Sequence, residues 1–178
     1  FNGLQQGIDL KGGLLITIQT GQDVDSSVIK QSLQQFSTSV GVRGFSSPVG
    51  KGFEIELELD EKLEEAGNKL RELHELEAAL AREELSAGLE NASNARIDEL
   101  KQRILSSTRN FLKLVGSSAS AGDDAKEAVR IAEKEFDELQ SSYRDNLLKA
   151  INEVVAVKSY SFKEVGASLS KFFFSKTQ

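Results

Sequence analysis

Residues 53–65 read Phe53-Glu54-Ile55-Glu56-Leu57-Glu58-Leu59-Asp60-Glu61-Lys62-Leu63-Glu64-Glu65, and the change of period inside this stretch decides the fold class. As far as Leu59, apolar and acidic residues alternate strictly, the pattern of a strand with one face on a core and the other in water. From Asp60 onward Gly and β-branched residues thin out, and Leu, Ala, Glu, Lys and Arg dominate, the composition of long helices. A sheet-forming region hands over directly to a helical one.

Upstream, Val40, Val42 and Phe45 alternate, and Ser46-Ser47-Pro48-Val49-Gly50-Lys51-Gly52 interrupts them. The two runs predict a hairpin with one wet, acidic face. Before it, Asp23 or Asp25 can cap a helix over residues 24–36, in which Val28, Leu33 and Phe36 recur at near-helical spacing. Earlier still, residues 14–20 are apolar and β-branched between Gly12-Gly13 and Gly21, the mark of a first strand.

Downstream, Leu63, Leu70, Leu73, Leu76, Leu80 and Leu85 form one stripe, and residues 88–93 break it. Ile97, Leu100, Ile104, Phe111 and Leu114 then follow alternating steps of three and four, with Ser107 in the expected slot. Residues 116–122 are a small-residue link, and Asp123-Asp124 supplies a cap and negative charge to a third helix. In that helix Val129, Ala132, Phe136, Leu139, Tyr143 and Ala150 keep coiled-coil spacing, with Asn146 as the polar exception. The β-branched Val154, Val155 and Val157, continued by Tyr160 and Phe162, predict a last strand over residues 154–162.

The order β-α-β-β-(helices)-β defines an α+β fold. With the end of the third helix as the second packing helix, it is the order of a ferredoxin-like β-α-β-β-α-β sandwich, with a long, coiled-coil-like helical insertion between β3 and β4. The expected division is a ferredoxin-like domain from 1–60 and 137–170, an insertion at 61–136, and a lead-in to a removed transmembrane helix at 171–178.

The chain has 178 residues, 39% hydrophobic and 28% charged, with a net charge of -6 and no Cys. Such a composition is that of a folded protein. The negative balance offers no field for nucleic acid, and the missing Cys excludes disulfides, thiolate metal sites and a cysteine nucleophile. Runs such as Leu14-Leu15-Ile16 and Phe172-Phe173-Phe174 fall far short of the roughly 20 residues a spanning helix needs. An opening at Phe1, without Met or a signal pattern, reads as a piece of something longer.

Gly7-Ile8-Asp9-Leu10-Lys11-Gly12-Gly13 resembles the glycine signature of the SecD/SecF family of protein-export membrane proteins, and Glu164-Val165-Gly166-Ala167-Ser168-Leu169-Ser170 resembles the Val-Gly-Pro segment at the other end of the same domain, with Ala167 in place of Pro. Gly7-Ile8-Asp9 is closer to SecF, and the helical connection, short in familiar bacterial members, is consistent with an archaeal one. The motif residues are Gly7, Ile8, Asp9, Leu10, Gly12, Gly13, Val165 and Gly166. The resemblance implies the first extracytoplasmic domain of a SecF-type subunit in the cell membrane. It also implies a SecD partner and a SecY-type channel as neighbours and attachment to the membrane through flanking helices, and it leaves open which of the channel, the SecD partner and the translocating polypeptide the domain touches.

Physically, Gly12-Gly13 allows positive φ or a bulge at the entry to the first strand, and Asp9 is short enough to bond nearby amides; an ordinary glycine turn fits the spacing equally. A P-loop does not, because Lys and Ser or Thr should follow the second Gly where the chain has Leu14. His74, the only histidine, stands in a leucine-rich helical stretch and reads as a surface residue. Glu54, Glu56 and Glu58 read as a solvated face, so no metal and no cofactor are expected. Asn91-Ala92-Ser93 matches the N-glycosylation pattern, which short sequences often match by chance.

No acid-base or nucleophile motif converges, so the expectation is a binding module rather than an enzyme. The competing reading is a coiled-coil scaffold whose sheet merely anchors an arm. The stripes of the arm have to be covered, either by one another or by a partner.

Overall fold

The computed structural model describes residues 12–89 and 94–166 of the chain. Along them run β1 (Gly12–Gln19), α1 (Ser26–Leu33), β2 (Val40–Ser47), β3 (Gly50–Glu58), α2 (Glu61–Leu89), α3 (Asn94–Leu114), α4 (Ala125–Asn152) and β4 (Ser159–Gly166). The fold is mixed α+β, with one four-stranded sheet and four helices among the described residues. Two compact units divide the chain, one comprising residues up to Glu64 and from Gln140, the other Glu65–Leu139.

In the first unit the strands lie in the order β2-β3-β1-β4, and every neighbouring pair is antiparallel. The period-2 pattern sorts the side chains onto two faces. On one face Leu14, Ile16 and Ile18 of β1 stand beside Leu57, Ile55 and Phe53 of β3, all buried. At roughly 25 cal/mol per Å2 of apolar surface removed from water, these rows supply much of the unit's stability. α1 buries Ile29 and Leu33, the end of α4 buries Leu147, Ala150 and Ile151, and the Ser32 hydroxyl donates to the Ala150 carbonyl at 2.9 Å, tying the two helices together. The opposite face carries Glu54, Glu56 and Glu58, with Glu56 exposed and the other two half-buried.

Several expectations are corrected here. α1 starts at Ser26 and ends at Leu33, because Asp25 accepts from the Ser27 amide at 3.0 Å and sets the N-terminus; Asp23 pairs instead with Lys51 at 2.7 Å. Val28 turns outward, 40% exposed, and Ile29 takes the core position beside Leu33. The interruption at residues 46–52 is mostly strand: Ser47 pairs with Gly50, leaving only Pro48 and Val49 as the hairpin loop. Gly50 closes it at φ 131°, in the region open to glycine.

The last strand lies at Ser159–Gly166, not at 154–162. α4 continues to Asn152, the amides of Val154 and Val155 both donate to the Ile151 carbonyl, and the Asn152 side chain accepts from the Val157 amide. These bonds close the helix end and override the β preference of the three valines. The Lys158 amide then donates to the Gln19 carbonyl at 2.7 Å, where β4 meets β1.

Within the second unit the predicted stripes bury against each other. Leu70, Leu73 and Leu80 of α2, Leu100, Ile104 and Phe111 of α3, and Val129, Ala132 and Phe136 of α4 are all buried, and the Phe111 and Phe136 rings stand 6.5 Å apart. The buried face of α3 is wider than a heptad seam: Leu105, Thr108 and Leu112 join it, while Ser107 is only half-buried. Leu85 departs from its stripe and is 70% exposed. Across the outside of α2 and α4 run His74–Glu133 at 2.7 Å, Arg130–Glu77 at 3.2 Å and Lys126–Glu84 at 3.3 Å. Exposed pairs of this kind are worth about 0.2–1 kcal/mol each. Asp124 caps α4 by accepting from the Glu127 amide at 2.9 Å.

Candidate functional site

β1 holds an inner position, paired with β3 on one side and β4 on the other, and its first residues meet the last residues of β4. Gly12 stands opposite Gly166, and Gly13 opposite Val165. The described parts of the two segments singled out in the sequence, Gly12-Gly13 and Glu164–Gly166, therefore lie on neighbouring strands. Leu15 follows opposite Lys163 and Thr17 opposite Ser161, on the same face as Glu56 and Glu54 of β3.

Gly13 is not in a turn, and its φ is not positive. What its missing side chain provides is lateral room. A Cβ there would lie 3.2 Å from Cγ2 of Val165 and 3.6 Å from the Leu57 carbonyl oxygen, so glycine lets the valine lean over the first strand. This replaces the expectation of positive φ or a bulge: the pairing with both neighbours runs one residue to one without an insertion. Val165 remains 39% exposed, leaving an apolar surface beside the acidic Glu58.

The carboxylates of the outer face are partly compensated. Glu54 pairs with Arg43 of β2; the hydrogen bond to that carboxylate, then its charge, hold the guanidinium above its ordinary pKa. Among the described residues, no group of three or more His, Cys, Asp or Glu is placed to hold a metal ion. His74 and its partner Glu133 are both about two-fifths exposed. Burial, aided by the Asp60 charge and opposed by the Asp60 backbone, pushes the Tyr143 phenol up to about 12. Its ring meets Phe36 edge-on at 6.4 Å, a packing role. Gly7, Ile8, Asp9 and Leu10, together with Asn91, lie outside the described residues.

Two features escaped the sequence. Gly52 of β3 is buried where a Cβ would come within 2.1 Å of the Ile18 carbonyl oxygen and 2.6 Å of the Phe45 ring. β2, in turn, forms one edge of the sheet. Both depend on which strands become neighbours, and only the Gly in a strand pattern hinted at the first.

Among the described residues, no helix is long and apolar enough to cross a membrane. No curated protein and no solved structure matches the chain. The model of one family, the SecD/SecF GG motif, matches residues 1–24, a segment that includes all of β1. Over that segment the chain is similar to SecD/SecF proteins, which relates it to the protein-export machinery.

Proposed function

We propose that this chain is an extracytoplasmic domain of a SecF-type accessory subunit of the Sec protein translocase. In this reading the first unit is a ferredoxin-like sandwich and residues 65–139 are a helical insertion between β3 and β4. The strand order β2-β3-β1-β4, antiparallel throughout, is what two interleaved split β-α-β crossovers produce. The domain acts by binding and by movement rather than by bond-making, held at the outer face of the cell membrane by flanking helices. Its neighbours are a SecD partner, a SecY-type channel and the passing polypeptide.

One observation carries the reading. The family match over residues 1–24 includes β1, and Gly13 at the start of that strand is the residue across which Val165 of the other family-like segment leans. Two motifs far apart in sequence thus share one structural joint. The burial of Leu73, Leu100, Ile104, Val129 and Phe136 within residues 65–139 supports this reading over a coiled-coil scaffold.

The test is photocrosslinking in the full-length protein in cells during export, with the probe at Lys163 or Val165 on the open face. Adducts with the channel, a SecD partner or the translocating chain are expected. Silence at both positions, with export intact after the protein is depleted, would remove the reading.

A further inference from the structure

β2 is an edge strand of the sheet, and among the described residues no further strand pairs with its outer side. The Glu58 amide donates to the Ser39 carbonyl at 3.3 Å, and the register pairs Val40 with Leu57 and Arg43 with Glu54. In an antiparallel ladder these facts fix the phase: odd-numbered residues of β2 turn their amides and carbonyls toward β3, and even-numbered ones turn them away. Val40, Val42, Gly44 and Ser46 therefore direct their backbone polar groups out of the sheet. No hydrogen bond to the backbone of Val42, Gly44 or Ser46 from beyond the sheet is found among the described residues.

Natural edges are normally blunted by Pro, by charged side chains and above all Lys, by a bulge or by very short strands. β2 carries no Pro, Lys or bulge, and its one charged side chain, Arg43, is paired with Glu54 of β3. The strand runs for eight residues, its pairing is continuous, and Gly41 and Gly44 keep side chains off it. A Cβ at Gly41 would meet nothing within 4 Å.

At the hairpin end this edge opens into a groove of about 450 Å3, lined among others by Gly44, Phe45, Gly52, Phe53 and Val24. Its lining is mixed, with Val24, Phe45 and Phe53 beside Gln22, Ser26 and Ser46, and its lysine is already taken by Asp23 at 2.7 Å. Arg43 is likewise committed to Glu54. The nearby Asp25 carboxylate caps α1 and the whole chain carries -6, so the local balance favours a neutral or basic occupant over an acidic one.

We propose that β2 is a strand-addition site that takes an extended, neutral or basic polypeptide segment, paired through its main chain and seating an apolar side chain in the groove beside Gly44 and Phe53. Only another extended chain presents donors and acceptors at the spacing of Val42, Gly44 and Ser46, and main-chain pairing grips without reading sequence. The inference rests on the export reading solely for the source of that segment, a polypeptide in passage.

The experiment uses the whole chain and a synthetic peptide of roughly ten residues, alternating Val and Thr with Lys at its ends. A control peptide is N-methylated at successive central residues, removing the donors of both its edges. Amide hydrogen exchange is followed residue by residue. The first peptide is expected to slow exchange at Val42, Gly44 and Ser46 by about tenfold or more, and the control to slow none of them. Val42→Pro removes an outward N–H at an edge position where Pro is tolerated; with an unchanged amide spectrum elsewhere, it should weaken binding by about tenfold.

Protection absent from β2, or equal with the N-methylated peptide, overturns the proposal. So does concentration-dependent self-association that Val42→Pro abolishes, since the occupant is then a second copy of the chain. Because the peptide is supplied directly, any of these results leaves the crosslinking test of the export reading standing.

Discussion

Replacing Gly52 with Ala tests the packing of the first unit at its tightest point. The added Cβ would sit 2.1 Å from the Ile18 carbonyl oxygen of β1 and 2.6 Å from the Phe45 ring of β2, so it is caught between two strands. The ring can swing away, but the carbonyl belongs to the backbone. Relief requires β1 and β3 to part by more than about 1 Å against a normal spacing of about 4.8 Å. That movement strains the adjoining bonds from the Thr20 and Gly21 amides to the Lys51 carbonyl. Overpacking costs about 1–3 kcal/mol and a weakened ladder bond about 1 kcal/mol, which together give about 3 kcal/mol.

Urea unfolding followed by tyrosine fluorescence reads this unit, because the chain has two tyrosines and no Trp, and Tyr143 and Tyr160 both fall within it. With a slope of about 1.5–2 kcal/mol per M, the midpoint should drop by about 1.5–2 M. Gly44→Ala is the control, since its Cβ would make only an ordinary 3.6 Å contact with Phe53. If Gly52→Ala unfolds at the same urea concentration as Gly44→Ala, the close approach of β1 and β3 at this position is wrong.

Three further outcomes are expected. Leu100→Asp places a charge at a site 1% exposed in the second unit and should cost about 3–5 kcal/mol, read as an earlier loss of helical circular dichroism; an unchanged helical transition would contradict the buried stripe. Tyr143, whose phenol is held up to about 12, stays protonated when folded over a range in which the unfolded chain ionises. Stability is therefore full below about pH 10 and falls between about 10 and 12 by about 2 kcal/mol; Tyr143→Phe should flatten that alkaline loss, and an identical slope would argue against burial of the phenol. Asp25 titrates below its ordinary value through the Ser27 backbone bond first and the Ser27 side-chain bond second, so its contribution is present above about pH 4 and lost as pH falls through the depressed value. Asp25→Asn should show a smaller acid-induced loss of stability than the parent, measured by urea unfolding along a pH series.

The strongest periodicities were readable before any coordinates. Phe53, Ile55 and Leu57 alternate and are buried, and Leu70, Leu73, Leu100, Ile104, Val129 and Phe136 recur at helical spacing and are buried as well. Caps were readable too, although the choice between Asp23 and Asp25 was settled by where Lys51 came to lie. β4 was misplaced because Ser159, Tyr160, Ser161 and Lys163 are exposed and carry little signal of their own. Three valines upstream, by contrast, satisfied a strand pattern while belonging to a helix end.

The glycine pair shows the same division. Its spacing beside an apolar run marked the start of a strand, but its purpose could not be read, since room for Val165 exists only once β4 lies alongside. The chain by itself determined what was encoded within a few residues: period, caps, the β-to-α switch at Asp60, the charge. Tertiary structure alone decided that β1 lies between β3 and β4, that Gly52 has no room for a methyl group, and that the outward backbone of β2 is left at an edge. Strand neighbours come from pairing across long separations, where burial and hydrogen bonding are settled jointly by the whole sheet.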